Sequence, residues 1–282
     1  MIRGADMKVN KSLKITLFYF FIITLAVIWL LPMLFMFLTA IKDPEEFYGK
    51  SIFSLPETIR WSNFLDAWVK GRMSRYMTNG TIICLFKVPI GILVESLAAF
   101  AITRLEIKRS NMIFIFFLVG MMIPMQVTLV PLNIALSNLG LINSYFGLFI
   151  VYIGFGMSFG ILVMRGFFRT IPKEIDEAAM IDGCNNLQLY WKIMLPVAKP
   201  ALATLFILDF LATWNEFLLA SILITDDRMR TVPTGLMSFF GEHGTDYGLL
   251  TAGVLISVVP ILIVYILFQR YFVEGMSGAI KG

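Results

Sequence analysis

Residues able to do chemistry in this 282-residue chain lie in two settings. One is a polar stretch at 165–199, RGFFRTIPKEIDEAAMIDGCNNLQLYWKIMLPVAK; the other is a handful of ionisable side chains embedded in apolar sequence. In the polar stretch, Pro172 suits the first turn of a helix, and Glu174, Asp176 and Glu177 favour its positive end. Ile175, Ala178, Ala179 and Asp182 recur at helical spacing, which predicts a small-residue face beside an acidic one. Gly183 supplies a left-handed stop. Asn185 or Asn186 then caps a second helix running through Leu189 and Trp191 to Ile193, ended by Pro196 and Pro200. Two short helices with a bend make and break no bonds. Their chemistry is contact: small side chains permit close approach to a partner surface, and a capped helix moves as a rigid body. An amphipathic pair lying at the membrane interface is the alternative reading.

The embedded charges are Lys87, Glu95, Asp209 and Glu216. Charge inside a bilayer is costly, so each marks a site by default. Counting about 1.5 Å of rise per residue puts Lys87 and Glu216 at a matched depth of about 25 Å from the inner face. That match allows an ion pair, with separate snorkelling to water as the alternative. Glu95 and Asp209 also match in depth, nearer the inner face. As like charges they are expected to find separate partners or water, with a structural role in helix packing as the alternative. Gln126, Asn133, Trp214, Asn215 and Glu216, which offer amides, a flat aromatic face and a carboxylate in or beside apolar runs, are the substrate-path candidates; anchoring at the membrane interface is the competing role for the aromatic residue. The single histidine, His243, has no second ligand nearby, and Cys84 and Cys184 form neither a disulfide nor a metal framework. No metal site is expected.

The elements that must position these residues are apolar helices. Hydrophobic residues make up 58% of the chain and charged residues 15%, against about a quarter charged in soluble domains; mean hydropathy is +0.81. No charge occurs between Lys14 and Lys42, Arg109 and Arg165, or Asp246 and Arg270. About 20 apolar residues cross a bilayer, so the outer gaps fit one crossing each and the middle gap two. The first apolar run, Ile15 to Ile41, is far longer than the core of a cleaved export signal and reads as a retained span. The expected fold is an all-α polytopic membrane protein, a single transmembrane domain over 1–282 with six spans. These fall at roughly 16–40, 78–103, 111–131, 143–164, 200–223 and 248–269, with outer loops at 41–77 and 224–247, a hairpin at 132–142 and the polar segment 165–199.

Orientation follows from Lys and Arg. With the N-terminus inside, fourteen fall on the inner side and eight outside, and the short basic loop 104–109 agrees with that sense. Both termini and segment 165–199 are therefore expected in the cytoplasm. The net charge of +4 is spread over loops rather than clustered, which argues against a nucleic-acid partner. A secondary transporter or channel would favour inverted repeats or matched broken spans, and none is visible. A membrane enzyme would need a clustered catalytic set, which one histidine and scattered carboxylates do not make.

Glu177-Ala178-Ala179, three residues, Gly183, nine residues, then Ile193-Met194-Leu195-Pro196 resembles the EAA motif of ABC importer permeases. With Thr213–Ala220 (TWNEFLLA) and the ending QRYFVEGMSGAIKG, the chain looks like a MalG-type carbohydrate permease over nearly its whole length. The resemblance implies a type I importer permease fold in a bacterial inner membrane. In that family the EAA helix docks in a groove of a separate ATPase. Carried over, Glu177, Ala178, Ala179, Asp182, Gly183, Ile193, Leu195 and Pro196 form the coupling element, and the tail at Ser277, Gly278 and Ala279 reaches the ATPase. The implied partners are a second six-span permease, two ATPase subunits, an external solute-binding protein facing loop 224–247, a sugar and membrane lipid. No cofactor is expected on this chain. Nothing here resembles a P-loop, so ATP and Mg would sit on the partner.

Overall fold

The computed structural model describes the backbone at 2–49, 54–241 and 244–280, and side chains from 13 to 271 except 48–53 and 241–244. His243 and the side chains of Ser277 and Ala279 lie outside the described residues, as do the last two residues. The chain divides into two compact units, 1–71 with 239–256, and 72–238 with 257–282. Composition shows no boundary between them, since both are built of the same apolar helices.

In the first unit, helix α1 (Ile2–Ala40) runs straight through Pro32, and its apolar side chains from Leu13 to Leu31 are exposed as for a lipid-facing rod. Its last carbonyls are not left bare: the Asn63 amide donates to the Ala40 and Lys42 carbonyls, 2.9 Å each, and Arg60 N–H to the Ile41 carbonyl. Satisfying helix-end carbonyls in this way is what lets the chain turn while buried.

The second unit is built on α2 (Met73–Arg104). Its buried residues Gly80, Ile83, Cys84, Lys87, Val88, Gly91, Ile92, Glu95, Ser96, Ala99 and Phe100 recur every three or four positions, one stripe of a helix turned inward. Chain order continues with α3 (Ser110–Met121), α4 (Met125–Asn138), α5 (Tyr145–Thr170), α6 (Lys173–Ile181), α7 (Asn186–Val197), α8 (Lys199–Trp214), α9 (Leu218–Leu223) and the long last helix α10 (Tyr247–Ile280). Ile83, Leu136, Leu148, Val151, Tyr152, Leu219 and Leu223 share one apolar core.

Among the described residues four helices are long and apolar enough to cross a membrane, and six crossings result if each of two bent pairs is one span. The bends differ from the continuous rods that the apolar runs suggested. The run expected at 111–131 breaks at Pro124, where α3 and α4 meet at 95°; proline forces its predecessor out of helical geometry. The reversal expected around Asn138, Gly140 and Asn143 follows the end of α4 at Asn138 and sits at Gly140 and Asn143, both with positive φ, although 132–138 is itself helical. The run expected at 200–223 stops at Trp214 and restarts at Leu218. Loop 224–247 carries short helices and a two-residue antiparallel ladder, Phe240–Gly241 against Gly244–Thr245.

Candidate functional site

Segment 165–199 forms the bent helix pair that its capping residues predict. Pro172 precedes α6, and Glu174 and Asp176 occupy its first turn. At its end Gly183 takes φ +82°, with Gly183 N–H bonded to the Met180 carbonyl and Cys184 N–H to the Ala179 carbonyl. These two bonds are the Schellman arrangement, and they require the left-handed residue. Asn185 then caps α7 reciprocally with Gln188, at 2.9 and 3.0 Å. A π turn at Tyr190–Met194 carries Ile193, and Leu195 and Pro196 complete the helix before a 77° bend into α8.

The small-residue face divides. Asp176 and Ala179 are buried against the body of the unit, whereas Glu177, Ala178, Met180 and Asp182 point out. Ile181 is 85% exposed and Leu187 62%, so two large apolar side chains of the pair stand in the open, Ile181 one turn on from Ala178. An amphipathic pattern read from sequence cannot tell which of two adjacent alanines faces in, because both fit the stripe within one residue's rotation.

Two anchors hold this pair to α2, and sequence reasoning missed both. Arg104, counted there only as a basic loop residue, has a side chain 3% exposed; it donates to Asp176 Oδ2 at 2.9 Å and to the Phe168 and Ile171 carbonyls at the end of α5. One guanidinium fork thus ties α2, α5 and α6 together. Burial pushes the Asp176 carboxyl above its ordinary range, outweighing the downward pull of Arg104. The second anchor is Tyr190, whose hydroxyl lies 2.8 Å from Ser96 Oγ and whose ring stands 5.3 Å from that of Phe100. The signal available in sequence was position: Arg104 closes a long apolar span and Asp176 opens a helix, 72 residues apart.

The embedded charges pair differently from the depth count. Lys87 binds Asp209, not Glu216, in a pair with side chains 3% and 8% exposed. Glu95 and Asp209, expected to stay apart as like charges, share one cluster with Lys87. A Cβ on Gly156 of α5 would stand 3.1 Å from Glu95 Oε1, 3.2 Å from Lys87 Nζ and 3.7 Å from Asp209 Oδ1, and one on Gly160 would collide with the Glu95 carboxylate. Glu216 instead accepts from Tyr152 Oη at 2.6 Å and from the backbone N–H of Leu219 and Ala220, at the start of α9. The count failed because it set both helices on a common inner level at Arg104 and Pro200, whereas α8 begins from a 77° bend after α7, so Asp209, on its unbroken length, is the residue that meets Lys87.

Trp214 is buried, stacked on Phe210 and over Gly80, and its indole N–H donates to the Ser257 carbonyl at 3.1 Å. That is a packing role rather than an open sugar platform. The Asn215 amide returns to its own helix at the Leu211 carbonyl, Asn133 donates to the Ile222 carbonyl, and Gln126 is exposed. The structure does not gather these four into one site. A cavity of about 400 Å³ opens instead beside the charge cluster, with Tyr152, Phe155, Phe159, Thr213 and Glu216 on its wall. At the far end, Asn143 Oδ1 accepts from Thr225 and Asp226 N–H, and Asn79 donates to the Arg228 and Arg230 carbonyls, pinning the start of loop 224–247. Among the described residues no three His, Cys, Asp or Glu side chains gather as metal ligands.

Known proteins are similar to this chain over most of its length. YurM of Bacillus subtilis, a probable ABC transporter permease, is 38% identical over 89% of this chain and 83% of its own. The trehalose/maltose transport system permease MalG of Thermococcus litoralis is 34% identical over 92% and 94%. A solved bacterial ABC transporter that imports the acidic polysaccharide alginate superposes with a TM-score of 0.77 at 24% identity, over 89% of this chain and 94% of that one, which bears on the fold. The family model of the binding-protein-dependent transport system inner membrane component matches residues 87–278, from the buried lysine of α2 through the bent α6–α7 pair into the last helix. The chain is therefore a multi-pass membrane protein of that family, a transport permease and not an enzyme.

Proposed function

We propose that this chain is one permease half of an ATP-driven importer that moves a carbohydrate, an oligosaccharide in particular. In this reading the α6–α7 pair faces the cytoplasm, with both termini, and docks in a separate ATPase that holds ATP and Mg. A second six-span permease completes the pathway, and an external solute-binding protein delivers the sugar at the face of loop 224–247. The tail at Ser277–Ala279 reaches the ATPase.

The observation that carries this is mechanical. The α6–α7 pair exposes Glu177, Ala178, Ile181 and Leu187 outward while Arg104 and Tyr190 clamp it to α2. It continues through the 77° bend into α8. A push on the exposed face is thus delivered to two core helices at once. The positive-inside count supports the orientation, and the relatives' reported cargo supports the sugar. The path runs along the aromatic-walled cavity at Tyr152, Phe155 and Phe159 rather than through Trp214.

A photo-crosslinker at position 178, used in membrane vesicles from the native host, is expected to capture an ATPase, while the same probe at buried position 179 captures none. Capture from neither position, or labelling of 178 from the outside of intact cells, refutes the coupling. Binding of candidate oligosaccharides to the cognate external receptor tests the substrate class.

A further inference from the structure

The buried cluster of the second unit has one cation and two carboxylates. Lys87 and Glu95 lie eight residues apart on the same inward stripe of α2, about 12 Å of rise, which their two long side chains close by leaning toward each other. Asp209 comes from α8. Lys87 is bonded to Asp209, yet among the described residues neither oxygen of the buried Glu95 carboxylate has a hydrogen-bond partner, nor does Asp209 Oδ2. Glu95 is 1% exposed. The space that admits it is deliberate: Gly91, Gly156 and Gly160 surround the three groups, and a side chain at Gly160 would evict the carboxylate. A buried carboxylate without a partner is strongly disfavoured, so one retained beside a lysine already engaged elsewhere invites a role in a second arrangement.

We propose that Lys87 is a shared cation that exchanges between Asp209 and Glu95 as α8 slides against α2. The lysine is then paired in each of two conformations of the permease and unpaired only between them, and the carboxylate it is not bound to is held as the neutral acid in either one, because one cation cannot compensate two buried carboxylates. Such a device makes the two arrangements discrete, because intermediate positions strand a charge in low dielectric. It rests on the reading above in one respect: α8 continues directly from the docking segment, so the stroke received there moves Asp209 while Lys87 and Glu95 stay together on α2. The adjoining cavity of about 400 Å³ provides the room that a repositioned Asp209 needs.

The test uses the whole transporter, purified with its ATPase and reconstituted in lipid vesicles, with Mg-ATP as the only probe. Glu95→Gln removes the second acceptor and Asp209→Asn the first, both without changing size. They are expected to shift the basal hydrolysis rate in opposite directions, each by about fivefold or more, the scale of an ordinary coupling between sites. Glu95→Asp, which keeps the charge and loses a methylene, is expected to stay near wild type, and in a Lys87→Met background Glu95→Gln is expected to change nothing further. Should Lys87→Met not assemble, the Gln and Asp variants at 95 still decide the matter. Wild-type rates in Glu95→Gln with a damaged Glu95→Asp would mean shape rather than charge, and would overturn the exchange. So would shifts of the same sign at 95 and 209. A wild-type preparation that contains no ATPase would overturn the coupling reading and the exchange with it, whereas failure of the variants in an active wild-type complex overturns the exchange alone.

Discussion

Replacing Arg104 by alanine should free the α6–α7 pair without unfolding the permease. The guanidinium makes one ion pair, to Asp176 at 2.9 Å, and two bonds to the carbonyls of Phe168 and Ile171, with its side chain 3% exposed and that of Asp176 12%. Removing one member of a buried pair costs about 3–5 kcal/mol, because the survivor keeps its charge and loses its compensation. At about 1.4 kcal/mol per decade, this shifts the docking equilibrium of α6 by two decades or more. The loss is local, since the apolar core around Ile83, Leu148 and Leu219 is untouched. Hydrogen exchange should therefore speed up over 171–183, by at least about a hundredfold on the same arithmetic, while 83–92 in α2 keeps its protection. Arg104→Lys should fall between, because an ammonium lacks the fork that reaches both Asp176 and the two carbonyls. An Arg104→Ala/Asp176→Ala pair should recover part of the loss, as a double-mutant cycle requires of groups in contact. The reasoning fails if Arg104→Ala leaves exchange at 171–183 unchanged, or loosens α2 to the same degree.

Other outcomes follow from single contacts. Gly183 sits at φ +82° with open space where a Cβ would be, so Gly183→Val should cost about 1–2 kcal/mol of backbone strain alone; insertion should persist while ATPase co-purification falls, and Gly183→Asn should be milder. Gly183→Asp is expected to reduce ATPase recruitment at unchanged membrane yield, and normal co-purification and transport would count against the docking assignment. Asn185→Ala removes a reciprocal cap worth about 1 kcal/mol and should fray α7, read as faster exchange at 186–189. Tyr152→Phe deletes the 2.6 Å bond to Glu216 and should destabilise the detergent-purified protein by about 1.5–3 kcal/mol, measured by thermal unfolding.

What the sequence determined by itself is whatever depends on neighbours along the chain. Uncharged apolar runs from Lys14 to Lys42 and from Asp246 to Arg270 become membrane-length helices because their length and composition leave no other structure in lipid. The bent pair at 173–197 follows from Pro172, Gly183 and Asn185, each acting on groups within a few residues, and the EAA spacing carried the family. Tertiary structure decided which side chains meet. Arg104 finds Asp176 across 72 residues, Lys87 finds Asp209 across 122, and Ala179 rather than Ala178 turns inward. Depth along a straight rod paired Lys87 with Glu216, but α8 starts from a 77° bend after α7, so residue counts from Arg104 and from Pro200 share no common level, and a helix axis must be known before any depth can be counted. The partner of a buried charge is set by the packing of separate helices, and that is a property of the assembled unit rather than of any stretch of it.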